Sequence, residues 1–82
     1  MMNKEKFYAK ERFAQELLIK ISEGKSHLEI ARWAYAIYLD FSMENNLSQA
    51  LMSLIAMEEG PEFFYTLEEL AELARSLLNE NG

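Results

Sequence analysis

The chain has 82 residues, of which half are hydrophobic and 27% are charged, and its formal net charge is −6 at pH 7. This length and composition predict one small globular domain with a single modest core, and they exclude an intrinsically disordered chain. Because the sequence contains no cysteine, disulfides, thiolate catalysis and zinc–thiolate sites are excluded as well.

The first predicted helix covers residues 3–23 and ends at Gly24. Its apolar residues, including Phe7, recur at helical spacing on one face, and this face is predicted to pack in the core. Glycine directly after the last periodic residue is a typical helix stop. Tyr8 and Ile19 fall near one another on the polar side, where they either pack under another helix or form a contact patch.

The second predicted helix covers residues 27–41. Ser26 and Glu29 form a capping-box pattern at its start, and apolar residues occupy most of its circumference. We therefore expect this helix to be the central core helix. Trp33 falls at the edge of the apolar arc, and His27 is expected to be an exposed polar residue in the first turn.

The third predicted helix covers residues 47–59 and ends at a Gly-Pro pair. The fourth covers residues 66–79, opens with a second capping-box pattern from Thr66 to Glu69, and separates its apolar and polar faces most clearly. No alternating strand pattern competes with these helices. The sequence therefore predicts an all-α fold, a compact bundle of about four helices in one small domain.

Between the third and fourth helices, residues 62–65 are predicted to form a short extended connection. Neighbouring side chains of an extended segment point in opposite directions. One of Phe63 and Phe64 should therefore fill the end of the core while the other stays near the surface. Acidic residues surround this pair, and residues 58–72 are called the acidic junction below. An exposed aromatic side chain among charges is typical of a protein interface.

Catalytic and metal-binding chemistry finds no support in the sequence. The single histidine, His27, is not accompanied by a nucleophile in any recognisable motif. The spacing of Glu69 and Glu72 occurs in di-iron bundles, but the Glu-x-x-His elements of those bundles are missing. We therefore expect no enzyme activity, no metal and no other cofactor.

The distribution of charge limits the class of partner. Residues 1–25 contain six basic and four acidic residues, whereas residues 26–82 contain two basic and ten acidic residues. No lysine or arginine occurs from Trp33 to Ala74. Such a separation attracts a basic protein and repels phosphate, so nucleic-acid binding is disfavoured.

Membrane insertion and secretion are not indicated either. The longest apolar run, from Trp33 to Leu39, has seven residues, far fewer than the roughly 20 that span a bilayer. The N-terminal residues are charged, and no apolar stretch of signal-peptide length follows them. We therefore expect a cytoplasmic protein that does not bind membranes.

Several short patterns together resemble a known class of proteins. They are the early amphipathic helix ending at Gly24, Trp33-Ala34, Ala50-Leu51-x-x-Leu54 running into Glu58-Glu59-Gly60, Tyr65, and Glu68-Glu69-Leu70. This arrangement resembles the small, acidic, all-helical immunity proteins that bacteria encode beside toxins, particularly those of contact-dependent growth-inhibition systems. The resemblance covers most of the chain.

The resemblance implies an immunity protein that binds a toxin inside the producing cell and blocks its active site. Many such toxins are nucleases with basic clefts, which an acidic face containing aromatic residues would fit. We expect the contact at the acidic junction, with two outer candidates in the second helix: Glu58, Glu59, Glu62, Phe64, Tyr65, Glu68, Glu69, Glu72, Trp33 and Asp40. The alternative is a structural or regulatory module that self-associates, or docks on a larger assembly, through Tyr8, Ile19 and Trp33.

Overall fold

In the computed structural model, which describes residues 6–79, the chain has the all-α fold that the sequence predicts. The elements in chain order are α1 (Lys10–Ser22), α2 (His27–Asp40), α3 (Asn45–Ile55), two 3₁₀ helices (Ala56–Glu59 and Pro61–Phe63) and α4 (Leu67–Asn79). Within the described residues, none of these helices combines the length and apolar character needed to traverse a bilayer.

The helices pack in two pairs, α1 along α4 and α2 along α3. Every α-helix contributes at least one buried alanine, and a small side chain at the contact lets two helix axes approach closely. These alanines are Ala14, Ala31, Ala34, Ala50 and Ala74. Larger side chains with no accessible surface fill the space around them: Phe13, Leu17, Ile30, Leu47, Leu51, Leu54, Met57 and Leu70.

The second helix, α2, is less buried than its sequence suggests. Its buried face is formed by Ile30, Ala31, Ala34 and Ile37. Leu28, Tyr35 and Leu39 lie on another face and are exposed. The prediction of a core helix covered over most of its circumference is therefore wrong, because the neighbouring elements pack against one face and leave an apolar flank to solvent.

The predicted end of α1 at Gly24 is confirmed. Gly24 has a φ of 75°, a left-handed conformation that glycine adopts without steric cost. The Lys25 amide donates to the Lys20 carbonyl (3.1 Å), and the Gly24 amide donates to the Ile21 carbonyl (3.1 Å). These two hydrogen bonds form a Schellman motif, which satisfies carbonyl groups at the helix end.

Both predicted capping boxes form. At the start of α2, the Glu29 amide donates to the Ser26 hydroxyl (3.1 Å) and the Ser26 amide donates to the Glu29 carboxylate (2.9 Å). The hydrogen bond from the Ser26 backbone lowers the pKa of Glu29. Thr66 and Glu69 make the same two bonds at the start of α4. Each box provides acceptors for two backbone amides, one in the first helical turn and one of the N-cap residue.

The first helix begins at Lys10, so the predicted start is wrong for residues 6–9; residues 3–5 of that prediction lie outside the described part of the chain. The amide of Tyr8 donates to the Ser42 carbonyl (2.9 Å), and the Ser42 amide donates to the Lys6 carbonyl (2.9 Å). Pairing with a distant residue holds this segment extended. As a result Phe7, which the sequence predicts to pack in the core, is exposed, and Tyr8 is buried.

Tyr8 anchors this segment to the helices. Its ring meets Phe41 edge-on with 5.0 Å between centroids, and its hydroxyl donates to the Glu16 carboxylate. The Arg12 guanidinium lies 4.3 Å from the centre of the Tyr8 ring and also donates to Glu16 (3.1 Å). Burial, reinforced by the hydrogen bond to Glu16, raises the pKa of Tyr8 to about 12.

Two isoleucines on helices provide a matched test of the core. Ile30 has no accessible surface, whereas Ile19 is 54% exposed. We expect Ile30→Ala to lower the free energy of unfolding by about 2–5 kcal/mol, because it leaves a cavity among close-packed helices. Ile19→Ala should change it by no more than about 0.5 kcal/mol. Urea denaturation of both variants measures the difference, and equal effects would contradict the assigned burial.

The environment of Tyr8 predicts a loss of stability at alkaline pH. The pKa of the phenol is near 10 when the chain is unfolded, and folding raises it to about 12. Its contribution is therefore complete below pH 10 and is lost as the pH rises towards 12. Comparing urea denaturation of the native protein and Tyr8→Phe across this range isolates the phenol from all other groups. Parallel pH profiles for the two proteins would rule this contribution out.

Candidate protein-binding site

The backbone of the acidic junction is set by a glycine and a proline. Helix α3 ends at Ile55, and the chain continues directly into the first 3₁₀ helix, Ala56–Glu59. Gly60 follows with φ 157° and ψ 163°, a region that essentially only glycine occupies. Pro61 then starts the second 3₁₀ helix, Pro61–Phe63. The predicted extended connection is therefore wrong for residues 62 and 63.

Both phenylalanines of the junction face solvent. Phe63 is 49% exposed and Phe64 is 37% exposed. The prediction that one of them fills the end of the core is wrong, because a 3₁₀ turn does not alternate its side chains as a strand does. Of the neighbouring residues, Met57 is fully buried and Tyr65 packs against the core.

The start of α2 holds the junction in place through His27. Its Nε2 lies 2.5 Å from the Tyr65 carbonyl oxygen, to which the protonated nitrogen donates. Its ring stacks on Phe64 with 4.5 Å between centroids and 12° between planes. The expectation that His27 is simply an exposed polar residue is wrong, since its side chain is partly buried between these two contacts.

Three junction carboxylates have partners within the protein. Glu58 accepts from the Arg32 guanidinium at 3.3 Å, and Glu72 lies 3.7 Å from that of Arg75. The carboxylate of Glu69 accepts from the Thr66 amide in the capping box. The two ion pairs are solvent-exposed, and pairs of this kind stabilise a fold by at most about 1 kcal/mol.

The other three carboxylates of the junction are those of Glu59, Glu62 and Glu68. All three residues are exposed, and no side chain within residues 6–79 forms an ion pair with them. The Glu62 carboxylate lies against Gly60, where it would collide with a Cβ atom. The junction therefore presents negative charge next to two exposed aromatic rings.

The two outer candidates lie apart from the junction. Trp33 turns towards α1, where it stacks on Phe13 with 4.5 Å between centroids and lies 4.8 Å below the Lys20 ammonium. Asp40 is exposed at the last residue of α2, about 20 Å along the helix axis from His27. Neither residue is brought to the surface that contains Phe63 and Phe64.

A polar groove of about 420 Å³ brings together the residues of the alternative interpretation. Tyr8, Ile19 and Trp33 all line it. Tyr8 is buried and Trp33 packs against the core, so Ile19 is the chief apolar side chain exposed there. Charged residues, Arg12 and Lys20 among them, form much of the remaining wall.

Sequence reasoning missed two features of this surface. The first is the contact of His27 with Phe64 and Tyr65, for which no local signal exists because His27 and Tyr65 are 38 positions apart in the chain. The second is an apolar groove beside the junction that includes Tyr35 and Met52. Its signal was present in the sequence, since the apolar arc of the second helix is wider than one buried face.

The acidic junction and the apolar groove beside it are chemically suited to binding cations and apolar groups of another protein. Within the described residues, no three histidine, aspartate or glutamate side chains are grouped so that they could hold a metal ion. Comparison with family models, with curated proteins and with solved structures gives no match to this chain. The interpretation of the surface therefore rests on its own chemistry.

The His27 contacts can be separated by two substitutions. His27→Phe keeps a ring for stacking but removes the donor, whereas His27→Ala removes both. We expect His27→Ala to lower the free energy of unfolding by about 1–3 kcal/mol, the range of one aromatic stack plus one hydrogen bond. His27→Phe should retain part of this. Hydrogen exchange of the Phe64 amide should accelerate in His27→Ala, and unchanged exchange would show that His27 does not order the junction.

Proposed function

We propose that this chain is a non-enzymatic, cytoplasmic immunity protein that binds a toxin and neutralises it. In this proposal the toxin is a nuclease, and the acidic junction covers its basic active-site cleft. The family resemblance of the sequence motivates the class of function. The geometry of the junction supports the mode of binding.

One observation carries the proposal: two exposed phenylalanines lie among carboxylates that form no ion pair within residues 6–79. Phe63 and Phe64 are the aromatic side chains, and Glu59, Glu62 and Glu68 are the carboxylates. Aromatic anchors that become desolvated on binding supply much of the energy of tight interfaces. Carboxylates around them would pair with the lysine and arginine residues that a nuclease uses to hold phosphate.

The contacts that hold Phe64 and Tyr65 in place favour binding as well. His27 stacks on Phe64 and bonds to the Tyr65 carbonyl, so the ring is already positioned before a partner arrives. A side chain that is held in place loses less conformational entropy on binding than a free one. The long-range field acts in the same direction, because opposed charges steer association and raise its rate.

The first experiment is capture of the partner with the tagged protein from cells that produce it, at low and at moderately high salt. We expect one basic, nuclease-like polypeptide whose recovery decreases as salt rises, because salt screens exposed charges. Addition of the purified protein should inhibit that nuclease. Recovery of the protein alone, or of a large assembly that is insensitive to salt, would favour the structural module.

Charge reversal at the start of α4 tests the location of the contact. In Glu68→Lys with Glu72→Lys, we expect the association rate with the captured toxin to fall by about tenfold or more at low salt, and its salt dependence to weaken. Glu11→Lys with Glu23→Lys is the matched control, because it changes the net charge by the same amount. Glu11 lies on α1, Glu23 follows it directly, and both are exposed. Stopped-flow association kinetics measure both. Equal slowing by the two double variants would mean that only net charge matters.

A further inference from the structure

An apolar groove of about 440 Å³ lies between α2 and α3, directly beside the acidic junction. Tyr35 and Tyr38 of α2 form one wall, and Met52 and Ile55 of α3 form the other. Phe63 closes the end towards the junction. We call this feature the α2–α3 groove.

A second depression of about 260 Å³ lies next to the groove, at the connection between α2 and α3. Tyr38 lines both depressions, and Phe41 and Met43 line the second. From Tyr35 to the end of α2 at Asp40, which Phe41 follows, the helix rises by about 7.5 Å at 1.5 Å per residue. This length matches one to two turns of a helix laid along the groove.

Side chains of this groove are apolar and accessible. Tyr35 is 46% exposed and Met52 is 54% exposed, and the eleven residues of α3 include no charged side chain. Contiguous apolar surface of this kind marks interaction sites on soluble proteins. Methionine suits such a role because its flexible, polarizable side chain adapts to the shape of a partner.

The charge around the groove restricts what can occupy it. Glu59 is the charged residue in its lining, and its carboxylate has no ion-pair partner among residues 6–79. Arg32, on the same helix as Tyr35, is paired with Glu58. Because no lysine or arginine lines the groove or the second depression, the same lining in a second copy would bring another Glu59 and no cation. A partner with basic residues beside its apolar ones complements the groove.

We propose that the α2–α3 groove binds one amphipathic helix of the partner, with two or three apolar anchors on one face and a lysine or arginine that pairs with Glu59. This inference rests on the proposed function, in which the partner is a basic toxin, and specifies a structural element of that toxin. A helix laid in an apolar groove is recognised through anchors at i, i+3 or i+4, and i+7. Phe63 and Glu59 belong to both surfaces, so the groove extends the junction.

The test uses synthetic helical peptides of about 20 residues, long enough to form isolated helices. The first carries leucine at i, i+3 or i+4 and i+7, with lysine on its other faces. In the second, glutamate replaces every lysine; in the third, serine replaces every leucine. Binding is followed by chemical shifts in nuclear magnetic resonance spectra of the full chain. We expect the first peptide alone to shift the Met52 methyl and Ile55 signals in a saturable manner.

Variants of the protein show whether the peptide occupies the groove. Met52→Glu should weaken binding of the leucine–lysine peptide at least tenfold, although the added negative charge by itself would attract lysine. Tyr35→Ser is the second variant, in case Met52→Glu alters the fold. Ile19→Glu is the matched control, because Ile19 and Met52 are equally exposed, at 54%, and Ile19 lies on α1. Binding unaffected by both groove variants would overturn the inference.

The remaining outcomes separate this inference from the proposed function. If the captured toxin binds Met52→Glu and Tyr35→Ser as tightly as the native protein, the groove is not its docking site and the inference fails, while the proposed function stands. If no toxin is captured but the leucine–lysine peptide still requires Met52, the groove recognises basic helices and the proposed function fails. A concentration-dependent dimer that is seen by sedimentation and abolished by Met52→Glu overturns the inference in favour of a second copy.

Discussion

The rest of the structure depends on the close packing of the α-helices, each of which buries at least one alanine in the core. Five alanines, at least one from each α-helix, are buried, and small side chains at a contact let helix axes approach closely. A core of this size has little room for aromatic rings. Of the five phenylalanines, four tyrosines and one tryptophan, only Tyr8 and Phe13 are buried. The other aromatic rings, including those of the junction and of the α2–α3 groove, remain partly or largely accessible.

The all-α fold and most helix boundaries could be predicted because their signals are local. A glycine stop at Gly24 and capping boxes at Ser26 and Thr66 are satisfied by hydrogen bonds within a few residues. The start of α1 could not be predicted in the same way. Its apolar periodicity continues backwards through Phe7, but the backbone there pairs with Ser42, 34 residues after Tyr8. These backbone hydrogen bonds to Ser42 form only in the folded chain, so no local sequence pattern indicates them.

The candidate site shows the same division. Composition located the acidic junction, but it could not say which carboxylates are already engaged. Glu58 reaches Arg32 across 26 positions of sequence, and His27 reaches Tyr65 across 38. The exposure of Phe63 and Phe64 depended on Gly60 and on the 3₁₀ turn that follows it. Tertiary partners and an irregular turn therefore decided the details that a pattern of charges left open.

The acidic face has a physical cost that a basic partner would remove. Like charges close together repel one another and destabilise the folded state, and the exposed ion pairs of Glu58 and Glu72 compensate for little of this. A partner that binds only the folded chain stabilises it by linkage. In the proposed complex, Glu59 and Phe63 would meet the partner at the edge shared by the junction and the groove. One basic amphipathic helix there would neutralise charge and cover apolar surface in a single contact, so the two proposals depend on the same few side chains.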